Sequence, residues 1–508
     1  MALSLKRRAV LWGDRTAVVD ASDDRRVGYA DLESEADAMA RRLAARGVGP
    51  GDPVAVCSRN RIETLALLFA VRRLGAVLAP ISHRLTPATV EGPLAVVDPE
   101  LVVHEPGQRD LLRELPDDLT CSFEELARID GEDYERTDRD SEDALLYLHA
   151  TASADRPRVG ERAGGSGGVD ANEGESDAEP ATADPATASG VVAVPERAVE
   201  WNCITAAAAW GLGRDDRAPT LLPLSDPDGL LRLVLPLLYV GGRVVVLRAF
   251  AAADALDAVA SEGVTALFGG ATEYRELVGE DAFEAVDLDA VDWFGTRSRL
   301  PADVRAALAR RAPVVRAYGS VETAPNNLYR PADAPADPDC VGRPFPDCEV
   351  RLVDGEGDPA PEGAVGELAV RGPVTARGYL DGEEFPEWVR TGDLAYREDG
   401  DYYLLGAAAE SLGGIASRVH PREIERALTA REGVDAAGVV PADEGVVAAF
   451  VGEADPGDLR AFLEGELPGG VALRELDRLD ALPRRPTGEP DRAALRRELG
   501  GEPRLDEE

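Results

Sequence analysis

Residues 29–82 read YADLESEADAMARRLAARGVGPGDPVAVCSRNRIETLALLFAVRRLGAVLAPIS. The first half carries apolar residues at helical spacing and stops at Gly47, before a turn at Pro50 and Gly51. PVAVCS (53–58) then reads as a buried strand, RIETLALLFAVRRLG (61–75) as a helix and AVLAPIS (76–82) as a second strand. Strand and helix in repeated alternation predict an α/β sheet with helices packed on it. The alternation resumes in RAPTLLPLSDPDG, GGRVVVLRAF, GVTALFGGATEYREL and APVVRAYGSVET. From about Pro331 the texture becomes short strands with Gly and Pro turns, a β-rich portion. From about Ala409 helix and strand mix again, over enough chain for a small α+β domain.

The 508 residues exceed what one hydrophobic core serves. The net charge of −40 argues against nucleic acid or an anionic membrane as partner. Lys6 is the single lysine, so the positive charge is almost all arginine, a composition expected of a salt-adapted protein. Five cysteines (Cys57, Cys121, Cys203, Cys340, Cys348) form no CxxC pair and point to neither a zinc site nor a disulfide framework. LRLVLPLLYVGGRVVVLRAF is broken by Arg232, Pro236 and Arg243, too soon for a spanning helix. With no signal-peptide pattern at the N-terminus, the expectation is a cytoplasmic protein.

One segment breaks the α/β rhythm. Between Val159 and Ser189 seven acids face one base, Arg162, among Gly, Ala, Ser and Pro, with almost nothing to bury. It reads as a solvated acidic insert.

Three motifs stand in order: AYGSVET (317–323), GELAVRGPVTARGYL (366–380) and WVRTGDLAYREDGDYYLLG (388–406). PREIE (421–425) and LPRRPTGEPDRAALRRE (482–498) follow. Alone each is weak, since TGD by itself is a turn and Tyr-Gly a strand end. Five in order are not accidental, and together they resemble the adenylate-forming acid–thiol ligases, the acyl-CoA synthetases and their relatives. The resemblance implies a large N-terminal domain (1–405) of α/β sheets plus a distorted β-barrel, a hinge at 406–410, and a small α+β domain (411–508).

It also implies ATP or AMP, Mg²⁺ and CoA as ligands, a carboxylic acid as substrate, and roles for particular residues. Tyr318 would stack on adenine beside Gly319, Glu322 would hold the Mg²⁺, and Asp393 would accept from the ribose hydroxyls. Thr151, Ser153 and the cation Arg158 belong to a run, ATASADRPR (150–158), that resembles the family's phosphate loop. Its continuation begins only at Gly190, so the insert interrupts the loop, and the glycines that let backbone N–H groups wrap a phosphate are missing.

Other departures concern catalysis. Val321 replaces a threonine, Arg297 stands where a small residue belongs, and Asp226 takes the place of a histidine beside the acyl pocket. Ala407 and Ala409 replace a nucleotide-binding arginine and the hinge aspartate. Glu489 occupies the position of the lysine that stabilises the adenylation transition state. At about 4 Å and an effective dielectric near 20 each sign is worth about 4 kcal/mol, so the reversal is severe. Three readings follow: a ligase with impaired adenylation, a catalytically inactive member binding a nucleotide, acyl ligand or protein, or an enzyme restricted to thiol transfer.

Overall fold

The computed structural model describes residues 3–149, 190–331, 337, 339–380, 382, 384–408, 420–442, 445–466, 472–483 and 491–499. Thr151, Ser153, Arg158, the acidic insert 159–189, hinge positions 409–410 and Glu489 lie outside them.

The opening stretch folds as its pattern requires. A helix spans Tyr29–Ala45 and buries Leu32, Ala36, Met39, Ala40 and Leu43, one face at helical spacing. The next helix, Ile62–Leu74, is buried on nearly every side, with Glu63, Arg72 and Arg73 in ion pairs. It ends at Gly75, whose φ of 75° lets its N–H cap the last turn. Strand Pro53–Cys57 lies between Val77–Ile81 and Leu101–His104, parallel to both. These are the centre of a seven-stranded sheet extended on one side by Thr120–Ser122 and on the other by Ala144–His149, Val191–Pro195 and Gly378–Tyr379.

A four-stranded sheet joins the chain's start to its middle, with Thr16–Asp20 parallel to Arg243–Val246. A nine-stranded sheet begins with three parallel strands, Ala266–Phe268, Trp293–Thr296 and Val314–Tyr318. It continues antiparallel through Leu328–Arg330, Cys340–Pro344, Asp401–Ala407, Val389–Glu398, Gly366–Arg371 and Glu349–Val353. Among the described residues these antiparallel strands make up the β-rich portion of the mixed sheet, and no strand pairing among them closes it into a barrel. Cys340–Pro344 hydrogen-bonds to Leu328–Arg330 on one side and to Asp401–Ala407 on the other, so the β-rich portion is continuous with the α/β sheet.

The C-terminal domain has its own core. A three-stranded sheet of Val434–Ala442, Gly445–Gly452 and Leu473–Arg478 packs Val439, Ala448 and Phe450 against Ile424 and Leu428 of helix Pro421–Thr429. His420 caps that helix, its Nδ1 accepting from the Arg422 amide at 3.2 Å. Among the described residues no helix is long and apolar enough to cross a membrane.

Candidate functional site

The parallel strand Val314–Tyr318 delivers a tight loop, Gly319–Asn327, before the chain returns antiparallel at Leu328. Gly319 is obligatory in that loop, because a Cβ there would stand 2.0 Å from the Pro325 carbonyl oxygen. The loop is pinned from within. Thr323 donates to Asn327 Oδ1 at 2.5 Å, and Asn327 donates back to the Thr323 carbonyl at 2.7 Å. The Asn327 amide closes the turn on the Tyr318 carbonyl at 3.0 Å.

Two tyrosine–carboxylate pairs flank the loop. The Tyr318 hydroxyl donates to Asp393 Oδ2 at 2.7 Å, across 75 residues of sequence. Glu322, 2 % exposed, accepts from the Tyr379 hydroxyl at 2.8 Å, and its carbonyl takes the Ala376 amide at 2.8 Å. Asp393 sits on strand Val389–Glu398, with Ala407 directly opposite on the neighbouring strand.

Tyr379 also meets the point where the insert ends. A Cβ on Gly190 would lie 2.7 Å from its ring. His149 and Val191 are register partners on adjacent antiparallel strands. The chain therefore leaves and re-enters this sheet at one place, next to Glu322. His149 there is buried, and burial holds its imidazole down to about 4.

A second cluster lies behind the loop. Asp228 accepts from Arg232 Nε at 2.9 Å and contacts Arg297 Nη1 at 2.9 Å, and these two cations hold its carboxyl below the ordinary range against its burial. Asp226, by contrast, is pushed up by burial and by Asp228. Arg232 is fully buried and donates to the Pro325 carbonyl and, at 3.1 Å, to Asn326 Oδ1, tying a π-helical turn at Asp228–Arg232 to the Glu322 loop.

Chemically, the arrangement offers an aromatic ring and a carboxylate at one place and a buried hard-oxygen donor a few residues away. The profile of the AMP-binding enzyme family matches residues 5–188 and 190–380. The chain belongs to that family. An indoleacetate–CoA ligase of Aromatoleum aromaticum is 28% identical over 86% of this chain and 84% of its own length. A feruloyl-CoA synthase of Amycolatopsis is 27% identical over 81% and 80%. A sulfoacetate–CoA ligase of Cupriavidus necator is 27% identical over 87% and 84%. The fold is that of an ATP-bound MatB from Rhodopseudomonas palustris, with TM-score 0.75, 23% identity and coverage of 98% and 99%. A Mycobacterium tuberculosis fatty acyl CoA synthetase gives TM-score 0.79 at 20% identity, covering 98% and 97%.

Within this AMP-binding fold the structure brings Tyr318, Gly319, Glu322 and Asp393 together, and it places Asp226 with Asp228 and Arg297 behind them. Three participants escaped sequence reasoning. Tyr379 closes a motif already noted, but nothing in one sequence says its hydroxyl meets Glu322. Asp228 and Arg232 stand four apart, the spacing of neighbours on a helical turn, which is a signal that was available. Arg297 reads as a clash in the sequence; in the structure it is the counter-charge of the Asp226 and Asp228 pair.

Proposed function

We propose that this AMP-binding protein is an acyl-CoA synthetase-like acid–thiol ligase whose adenylation step is impaired. The observation that carries the nucleotide part is the Tyr318–Asp393 hydrogen bond at 2.7 Å. It holds a ring suited to a base and a carboxylate suited to a diol in one fixed relation. Glu322 supplies the hard oxygen for Mg²⁺, steadied by Tyr379. A carboxylic acid would attack the α-phosphorus of ATP to give an acyl-adenylate and pyrophosphate, and the CoA thiol would then attack the acyl carbon, forming the thioester and releasing AMP and a proton.

Impairment is read from two changes. Ala407 faces Asp393 across the sheet with no side chain to reach a ligand. By the resemblance, Glu489 takes the place of a lysine whose positive charge the adenylation transition state needs. The Asp226, Asp228, Arg232 and Arg297 cluster supports a rebuilt site over a decayed one, since each departure there meets its counter-charge.

ATP–pyrophosphate exchange in concentrated KCl, over a panel of carboxylic acids, tests the proposal. Slow exchange that Glu489→Lys accelerates is the expected result. No exchange together with no heat of MgATP or AMP binding would sink it. Nucleotide binding without exchange, in the wild type and in Glu489→Lys, would leave the non-catalytic binding protein as the better account.

A further inference from the structure

Arg297 stands one residue beyond strand Trp293–Thr296, whose Thr296 is the register partner of Arg316 on the strand that ends in Tyr318. It therefore lies at the carboxyl ends of parallel strands, the edge at which α/β sheets bind their ligands. Five charged groups bear on this place: Arg232 with Asp228 as a closed pair, Arg297 with Asp226 as an open one, and Glu273, whose charge also acts on Arg297. Arg232, 1 % exposed, has both faces of its guanidinium taken by Asp228, the Pro325 carbonyl and Asn326. Asp228 is as deeply buried and faces Arg232 with one oxygen and Arg297 with the other. That pair is internal structure.

Arg297 and Asp226 are different. The Arg297 side chain is 48% exposed and Asp226 is 23% exposed. Arg297 Nη1 is anchored on Asp228 at 2.9 Å, but Nη2 stands 3.9 Å from Asp226 Oδ2, too far for a hydrogen bond. Asp226 uses its other oxygen to accept the Asp228 amide at 2.8 Å. A guanidinium fixed at one edge, with a loose contact and open space at the other, is suited to an oxyanion, because its planar fork matches a carboxylate or sulfonate with two parallel hydrogen bonds. The alternatives fit worse. A cationic group would be drawn by Asp226 and Glu273 but would meet the fixed guanidinium of Arg297, and an apolar chain would desolvate Arg297 and Asp226 without offering either a partner. Burial and Asp228 raise the Asp226 carboxyl above its ordinary range, against the pull of Arg297 and Arg232.

We propose that Arg297 is the specificity-determining residue of this site and selects carboxylic acids that carry a second anionic group, a carboxylate or sulfonate, at the end remote from the reacting carboxyl. The inference rests on the ligase reading for the identity of the reacting end, and on Arg297 alone for the remote end. The second anion displaces the loose Asp226 contact and takes the open edge of the guanidinium.

The test is titration calorimetry on the whole chain in concentrated KCl with saturating AMP. Succinate, glutarate and adipate are compared with butyrate, pentanoate and hexanoate, which match them in carbon count. A dianion of at least one chain length is expected to bind about tenfold or more tightly than its partner, the range of a charge-assisted hydrogen-bond pair. Arg297→Gln abolishes the preference, and Arg297→Lys, which keeps the charge and loses the fork, retains part of it. Equal binding of matched acids by the wild type overturns the inference, and this arm needs no variant to fold. So does a preference that survives Arg297→Gln, or the absence of binding by every acid. Pyrophosphate exchange on the same panel separates the two proposals: exchange without dianion preference removes the role of Arg297 and keeps the ligase. Dianion binding without exchange, in the wild type and in Glu489→Lys, keeps Arg297 and removes the ligase.

Discussion

Tyr318 and Asp393 were expected to serve a nucleotide separately, one through its ring and one through its carboxylate. Their 2.7 Å hydrogen bond would couple the two proposed tasks, since the phenol that fixes the ring also fixes the carboxylate. Removing it leaves a carboxylate short of one donor, at a cost of about 1.5–3 kcal/mol for a bond to a charged group. Tyr318→Phe keeps the ring and loses the bond. AMP affinity measured by calorimetry should fall about tenfold or more, and an unchanged Kd would show that the hydroxyl has no part in binding. The same scale shows where residue-by-residue reading stops. Arg297 in place of a small residue and Asp226 in place of a histidine look like two independent losses in the sequence. In space they face each other at 3.9 Å across Asp228.

At the scale of elements, the acidic insert interrupts a connection and not a strand. Ala144–His149 and Val191–Pro195 pair antiparallel up to His149 opposite Val191, so the two ends of the connection are fixed side by side by the sheet itself. Loop-closure entropy grows only with the logarithm of length, which is why a long insertion is tolerated at such a place. Deleting 159–189 joins Arg158 to Gly190 and shortens the connection about fourfold. The expected change is a stabilisation of roughly 1 kcal/mol, read as a small rise in melting temperature. A deletion variant that fails to fold, or melts far below the parent, would show that the insert holds the sheet together. The strand and helix assignments around this point were legible because each has a clear period. The β-rich end of the nine-stranded sheet was not. Alternating short strands such as Glu349–Val353 and Gly366–Arg371 suit a barrel wall and an open sheet equally, and no local pattern says which strands will be their neighbours.

Across the whole molecule the charge of −40 must be carried by a surface whose cations are almost all arginine. Many of those arginines bind acids from distant segments. Arg59 and Arg248 share Glu105, and together they hold that carboxyl near 2 despite its burial. Arg26 and Arg243 likewise share Glu262. Such clamps persist at high ionic strength better than exposed pairs do, while the unpaired acids repel one another less as salt screens them. We therefore expect the melting temperature to rise as KCl is raised from dilute to molar concentrations. A melting curve that is flat or falls with KCl would contradict salt adaptation. The sequence by itself determined the α/β class, the order of the motifs and the run of acids between Val159 and Ser189. Periodicity and motif order are properties of the chain that survive without coordinates. Only the tertiary structure decided that Tyr379 meets Glu322, that Tyr318 holds Asp393, and that Arg297 is anchored on one edge and open on the other. Those contacts join residues tens of positions apart, and the distance between two such side chains is set by how the sheets are laid together, which no local pattern records.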